Sequence, residues 1–467
     1  MKELSLKKIA AVVGGHVKTK FGSIKVNDVV TDSRKKDISG ALFVAIKGDR
    51  FDGHDFIREA VYKGAACVLS EQKLDTSHPV IKVDSTREAL KKLAAYYRGL
   101  FDIHVVAITG SVGKTTTKDM IAQVLSTKYK TLKTEGNFNN EIGLPLTVFK
   151  LDDSYQAAVF ELGMNHFGEI RNLSAIAQPT VCVITNIGVA HIENLHSREG
   201  ILKAKSEIFE SLSENGHIVL NGDDDMLRSI SSDCNLIHYF GRGPDNFYSA
   251  YNIKNNGLIG VSCNIKYRNR NFKTHIPIPG QHMVDNALAA TAVGDILGLD
   301  EICIKSGLES VRPPKMRMDI LNAPGGITII NDAYNASPDS MKAAIDLLAD
   351  VGSRKVCILG DMFELGGNSA KYHYEIGVYA AFKDMDLIIC IGGHSIEIYN
   401  GAKDNKTEKT QCLYYEKQDG LAPELRSFLL EGDTVLVKAS RGMAFENIVN
   451  QLMENSKSEG SNLYDYE

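Results

Sequence analysis

The segment with the most legible chemistry is Ile108-Thr109-Gly110-Ser111-Val112-Gly113-Lys114-Thr115-Thr116. The apolar run Val105–Thr109 leads into it, and a helical pattern continues through Leu125. A phosphate-binding loop needs that context. Glycines let backbone N–H groups approach phosphate oxygens, and the start of a helix adds positive partial charge. Gly110, Ser111, Val112, Gly113 and Thr116 would cradle the phosphates. Lys114 would reach the β- and γ-phosphates, and the Thr115 hydroxyl would hold Mg²⁺. The full pattern has a glycine where Ile108 stands, five residues before Gly113. The bland alternative is a glycine-rich turn before a helix with an exposed lysine.

Further segments put polar residues where such a sheet collects ligands. Ala157–Phe160 leads into Glu161, a carboxylate at the end of an expected strand. Ligands gather at the carboxyl ends of parallel strands, so Glu161 is a candidate Mg²⁺ ligand, with a surface acid as the alternative. The run Val181–Ile184 leads through Asn186 and Gly188 to His191. A lone histidine is more often structural, but this one follows a second strand of the same sheet. Glu199–Leu212 reads as a helix. With Ile201 at zero and about 100° per residue, Ile208, Leu212, Phe209 and Leu202 fall at about 340°, 20°, 80° and 100°. Lys205 falls at about 40°, inside that apolar arc, whereas Lys203 falls at about 200°. Burying an unpaired ammonium is costly. Lys205 therefore either snorkels to the surface or is a desolvated lysine of lowered pKa. A free amine of the second kind can react with CO₂ to give a carbamate, an oxygen-ligand anion suited to Mg²⁺. The wheel does not choose between the two.

These residues need a frame. Ala41–Ile46, Val105–Thr109, Ala157–Glu161, Val181–Asn186, Ile327–Asn331, Val356–Gly360, Leu387–Ile391 and Thr434–Lys438 read as strands separated by helical patterns. That alternation implies parallel sheets and the α/β class. A chain of 467 residues exceeds one core and suggests about three domains. Helix-like Thr86–Tyr97 ends at Gly99, which sets a first boundary near 100. Arg312-Pro313-Pro314 cannot continue a helix, because proline lacks the donor and clashes with the preceding turn; the second boundary is set there. The expected domains are 1–100, 101–312 and 313–467. In the last, Ser337 and Pro338 open a helix of a Rossmann-like unit, and the polar tail from Ser456 is expected to fray.

Composition excludes several classes. Apolar residues make up 43% and charged ones 24%, ordinary for a soluble globular chain rather than a fibre or a disordered segment. The formal net charge of −5 argues against general nucleic-acid affinity, and the absence of Trp removes one stacking platform. The first hundred residues hold 19 Lys+Arg against 12 Asp+Glu, a net of +7 on an otherwise acidic chain. A basic unit suits an anionic ligand or is a solvated face. The eight cysteines include no CxxC pair and are expected as buried reduced thiols. Without a signal-like segment or a run of about 20 apolar residues, a cytoplasmic protein with no membrane span is expected.

Taken in order, these motifs resemble the Mur ligase family, ATP-dependent amino acid or peptide ligases of peptidoglycan synthesis. The resemblance is carried by the phosphate loop, Thr134–Pro145, Glu161-Leu162-Gly163, Thr185-Asn186-Ile187-Gly188 with His191, Gly280-Gln281-His282 with Asn286–Ala290, Arg317, and Asn331–Pro338. It spans about residues 25–447. Thr31–Arg34, Phe51–Phe56, Gly136–Asn140, Gly360–Gly366 and Lys438–Gly442 point to the branch that adds D-alanyl-D-alanine to UDP-MurNAc-tripeptide. Ala439 stands where that branch has glycine, and the Asp-Asn-Pro-Arg run of the diaminopimelate-adding branch is absent.

The resemblance implies a three-domain architecture with a central P-loop ATPase-like parallel sheet and a C-terminal Rossmann-like domain. It implies ATP and Mg²⁺, and it favours the carbamate on Lys205. Lys114, Glu161, His191 and Lys205 become the catalytic set, and Thr115, Glu161, His191 and Lys205 the metal set. Asn286 matches the adenine contact, Arg317 and Asp332 match ATP contacts from the third domain, and Asn140 matches a position near the γ-phosphate. Ser33 and Arg34 match the uridine nucleotide region, Asn137 and Asn139 are expected at the substrate, and Lys438, Ser440 and Arg441 at the dipeptide or at closure. The implied reaction passes through an acyl phosphate, with hinges near 100 and 312 closing the site. The implied partners are UDP-MurNAc-tripeptide and D-alanyl-D-alanine, without nucleic acid, in a monomer. Two other readings stand beside this one: another Mur-type amino acid ligase or a folylpolyglutamate synthetase-like enzyme, and a noncatalytic nucleotide-binding scaffold.

Overall fold

The computed structural model describes residues 1–454 except 49–50, 232–235 and 422–423; Cys234 and the tail from Ser456 lie outside the described residues. Three sheets carry the architecture. The N-terminal sheet has four parallel strands in the order Asp28–Val30, Ala41–Val44, Cys67–Ser70 and Val80–Lys82. The central sheet has nine strands. Seven are parallel, in the order Thr131–Lys133, Ala157–Glu161, His104–Thr109, Val181–Ile184, His217–Asn221, Leu236–Gly241 and Tyr248–Asn255. Val261–Tyr267 and Arg270–Ile276 complete it as an antiparallel edge. The C-terminal sheet runs Asp319–Ala323, Ile327–Asn331, Thr434–Lys438, Lys355–Gly360, Leu387–Ile391 and Gln411–Tyr415, parallel except for its first strand.

The α/β class and three-domain organisation agree with the sequence expectation; the antiparallel edge was not expected. In Val261–Tyr267 buried Val261, Cys263, Ile265 and Tyr267 alternate with less buried residues. That period of two marks a sheet covered on one face, and it lacks the continuous apolar run that reveals the doubly covered strands.

Strand His104–Thr109 is buried from Val105 onward and lies between Ala157–Glu161 and Val181–Ile184. The chain leaving it crosses toward one edge of the sheet, and the chain leaving Val181–Ile184 heads for the other. Such a switch point opens a crevice at the carboxyl ends of the strands. Two joints flank this sheet. Helix Thr86–Arg98 starts at Ser85, whose hydroxyl accepts from Glu88 N, and buries Leu90, Leu93 and Tyr97 in one cluster with Phe149, Leu173 and Ile176 of the central domain. On the other side, apolar residues of helix Met283–Ile296 and of helix Pro338–Ala349 belong to a second cluster. The seven described cysteines are unpaired, five of them buried. No described helix is long and apolar enough to cross a membrane.

Candidate active site

The phosphate loop joins strand His104–Thr109 to helix Lys114–Leu125. Gly113 takes the position before the helix with φ 85°, a left-handed conformation that costs glycine nothing. Gly110 is required for a second reason: a Cβ there would stand 1.9 Å from Thr185 Oγ1. The loop is braced from the neighbouring strand. Ser111 N donates to Asn186 O at 3.0 Å, Val112 N to Asn186 Oδ1 at 2.9 Å, and Gly188 N to Ser111 Oγ at 2.9 Å. Thr185 Oγ1 and Asn186 Nδ2 both donate to Val112 O. Sequence reasoning gave Thr185 and Asn186 no individual role; their type after an apolar strand was the only signal. Thr115 and Thr116 are buried at the start of the helix.

Lys114 folds back onto the loop, donating to Gly110 O at 2.7 Å and Ser111 O at 3.3 Å. Desolvation lowers its pKa, opposed by the nearby charge of Glu161. Glu161 ends its strand at 2% exposure. Its Oε1 accepts from Asn139 Nδ2 at 2.9 Å, and its backbone N–H is held by Thr134 Oγ1. Its Oε2 is buried without a hydrogen-bond partner. Behind Lys114 lies Lys205, 1% exposed, on helix Arg198–Ser206, which tightens into a 3₁₀ turn over Glu207–Ser211. No hydrogen bond or ion pair reaches the Lys205 ammonium among the described residues. Desolvation, then the charge of Lys114, push its pKa well below the ordinary lysine value. The snorkelling alternative is therefore excluded, and Lys203 is the exposed lysine of that helix. A buried carboxylate oxygen without a partner is a ligand of the kind a hard cation takes, although no three His, Cys, Asp or Glu side chains converge as a metal site among the described residues.

His191 has φ 64° and starts the short helix Ile192–Leu195. Its Nδ1 meets the carboxylate of Glu364 from the C-terminal domain, and Glu364 is itself left-handed at φ 64°. Other groups converge from that domain. The Arg317 guanidinium lies 4.0 Å over the Tyr334 ring. Asp332 accepts from Met318 N at 3.1 Å and pairs with buried Lys438, which also donates to Asn335 O at 3.0 Å. Ser440 Oγ accepts from Phe363 N at 2.9 Å. Lys438 and Ser440 are thus engaged inside the domain, whereas Arg441, paired with Glu446 at 2.8 Å, keeps an exposed guanidinium. In the central domain Asn286 Oδ1 accepts from Thr117 Oγ1 at 3.0 Å.

A cleft of about 580 Å³ brings together Ser111 to Thr116, His191, Asn286, Arg317, Asp332 and Lys438. Gly110, Glu161 and Lys205 are not part of its lining; the last two lie behind Lys114, coupled to it by charge. Asn137, Asn139 and Asn140 stand apart from the cleft on the loop before Gly143. There Asn140 Oδ1 accepts from Gly143 N at 2.8 Å, a local capping contact, and Asn137 is exposed. No residue of the N-terminal domain lines the cleft. Ser33 is buried and donates to Glu59 at 3.0 Å, and exposed Arg34 pairs with Asp32 at 2.8 Å. Hydrogen bonds from Arg34 hold the Asp32 carboxyl down to about 2.

Three family descriptions match: "Mur ligase family, catalytic domain" over residues 25–98, "Mur ligase middle domain" over 108–294, and "Mur ligase, glutamate ligase domain" over 316–441. The chain is 40% identical over 460 residues to UDP-N-acetylmuramoyl-tripeptide--D-alanyl-D-alanine ligase of Bacillus subtilis, covering 97% of this chain and 99% of that relative. It superposes on MurF from Acinetobacter baumannii with a TM-score of 0.90 at 32% identity, over 97% of this chain and 100% of that one. MurF ligase from Thermotoga maritima, solved in complex with ADP, gives a TM-score of 0.80 at 30% identity over 91% and 97% of the two chains.

Proposed function

The chain belongs to the Mur ligase family, and from that premise we propose how its residues join D-alanyl-D-alanine to UDP-MurNAc-tripeptide. The enzyme is an ATP-dependent ligase that forms a C–N peptide bond in peptidoglycan precursor synthesis. The C-terminal carboxylate of the tripeptide attacks the γ-phosphate of ATP; a C–O–P linkage forms and ADP leaves. The dipeptide amine then attacks the acyl carbon, and inorganic phosphate leaves as the amide forms. The first step drives an anion toward a polyanion. Lys114 and the loop N–H groups offset that repulsion where charge develops.

The observation that carries this assignment of residues is the partnerless Glu161 Oε2 within charge range of Lys114, with buried Lys205 also within charge range of Lys114. Thr115, Glu161, His191 and Lys205 as its carbamate would hold Mg²⁺, which supplies charge neutralisation at the phosphates. The lowering of the Lys205 pKa by burial and the charge of Lys114 favours the free amine that a carbamate needs. Asn286 would meet adenine, Arg317 and Asp332 would close on the nucleotide, and Asn139 would orient Glu161 at the substrate. Asn140 would act on the phosphate side only by giving up its local cap. With boundaries near 100 and 312, residues 1–100 would hold the UDP moiety near Ser33 and Arg34, 101–312 ATP, and 313–467 the closing surface. Closure excludes water from the acyl phosphate.

Phosphate release from ATP should require both UDP-MurNAc-tripeptide and D-alanyl-D-alanine. Turnover with folate and glutamate instead would move the chain to the rival ligase class. A ¹³C resonance from labelled bicarbonate, absent in Lys205→Met, should report the carbamate; its absence from the wild type would remove that part of the reading.

A further inference from the structure

Five carboxylates line the cleft: Asp224, Asp285, Asp332, Asp339 and Glu364. Four are engaged. Asp224 caps its own helix and accepts from Ile187 N at 2.8 Å. Arg242 holds Asp285 at 3.0 Å, Lys438 holds Asp332, and Glu364 meets His191. Asp339, exposed to the cleft's solvent, alone has no hydrogen bond or ion pair among the described residues.

Its position is specific. Asp339 lies in the first turn of helix Pro338–Ala349, in the C-terminal domain, yet its carboxylate reaches across the cleft. A Cβ placed on Gly188 would stand 2.7 Å from Asp339 Oδ2 and 3.4 Å from Ser111 Cβ. Gly188 belongs to the brace of the phosphate loop through its N–H to Ser111 Oγ. The free carboxylate therefore faces the loop that would hold the transferred phosphate, where a glycine leaves it room.

The ligation brings one cation to that place. An α-amino group with an ordinary pKa of about 7.7–8.0 arrives largely protonated at neutral pH, and it must reach the acyl carbon beside the phosphate it displaces. We infer that Asp339 is the seat of the incoming dipeptide's ammonium, an assignment that rests on the ligase function above. It is a substrate-binding residue: it draws the ammonium from solution by charge and holds its nitrogen toward the acyl carbon, and the nitrogen attacks as the neutral amine once that proton has passed to solvent. Charge-assisted contacts of this kind are shorter and stronger than neutral ones. Arg441 and Lys438 have partners of their own, and neither could receive an ammonium.

The test is steady-state kinetics of the full chain with the dipeptide varied, for the wild type, Asp339→Asn and Asp339→Glu. Inhibition by D-lactyl-D-alanine, in which a hydroxyl replaces the ammonium, is measured in parallel. Asp339→Asn should raise KM for D-alanyl-D-alanine about 10- to 100-fold, the loss of a hydrogen bond to a charged group. KM for ATP should stay within about twofold, and Asp339→Glu should recover part of the loss. The wild type should bind the dipeptide in clear preference to the hydroxy analogue, and Asp339→Asn should lose most of that preference. An unchanged dipeptide KM with unchanged preference would overturn the assignment, as would equal rises in both KM values. A wild type that forms no product from the dipeptide would strike at the ligase function itself, a different failure.

Discussion

The two joints of the central domain bury polar groups in opposite ways. At the N-terminal joint each buried polar side chain is satisfied. Arg98, 5% exposed, donates to Ala177 O at 3.0 Å, Phe101 O at 2.7 Å and Gln178 O at 3.4 Å. Gln178 returns a bond to Ala95 O at 3.0 Å, and Tyr97 OH donates to Leu151 O at 2.7 Å. Just behind the C-terminal joint, buried groups are left wanting: Glu161 Oε2 has no partner and Lys205 has no counter-charge, while exposed Asp339 at the cleft has no protein partner. Satisfied buried polar groups rigidify a packing, and unsatisfied ones cost stability. The first joint is thus a weld and the second a site. Both joints carry a packed apolar cluster; what separates them is how their polar groups are met.

The sharpest way to break this contrast is Lys205→Met. Turnover should fall by about 10³-fold or more, the scale of losing a group that acts in the transition state, while stability should hold or rise. Lys205 has a folded-state pKa well below 10.5. From that depressed value up to about 10.5 the unfolded chain binds a proton that the folded chain lacks. Its contribution therefore rises with pH across that window and is a cost at neutral pH, which methionine removes. Denaturation in CO₂-free buffer beside turnover measures both. A variant that loses stability along with activity would make Lys205 an ordinary core residue.

The parts of this candidate site that were legible from the sequence carry local signals. The phosphate loop is one contiguous run, and helical phase places Lys205 on the apolar face, although it leaves burial and snorkelling open. Other parts depend on long-range partners. Nothing around Arg98 marks it as a weld, since two of its three acceptors are carbonyls of Ala177 and Gln178. Asn139 read as a substrate contact, but its amide holds Glu161, a pairing made only when a loop folds over the strand end. Lys438 read as a dipeptide or closure group because its carboxylate, Asp332, comes from another strand of the same sheet. Asp339 follows Pro338 and looks like an ordinary first-turn acid; its lack of a partner emerges only from the assembled cleft.

Arg98→Met probes the weld. Three carbonyls lose a charged donor, and the cost should be about 3 kcal/mol of unfolding free energy, read from urea midpoints. KM values for ATP and dipeptide should stay within about twofold. A rise in KM for ATP without a loss of stability would mean that the first joint serves closure after all.

The smallest effect concerns Asp285, on the cleft side. Burial lifts its carboxyl to about 6, with Arg242 opposing. From about 3.8 to about 6 the folded chain therefore keeps a proton that the unfolded chain has released. The stabilisation this provides is full below 3.8 and is lost as pH rises through 6. Because its side chain retains 21% exposure, solvent screening trims the swing to the order of 1–2 kcal/mol. Asp285→Asn has no proton to lose. Its urea midpoint should change less than that of the wild type between pH 5 and pH 7. Parallel profiles would show that Arg242 already satisfies the carboxylate, which would put this edge of the cleft with the weld rather than with the site.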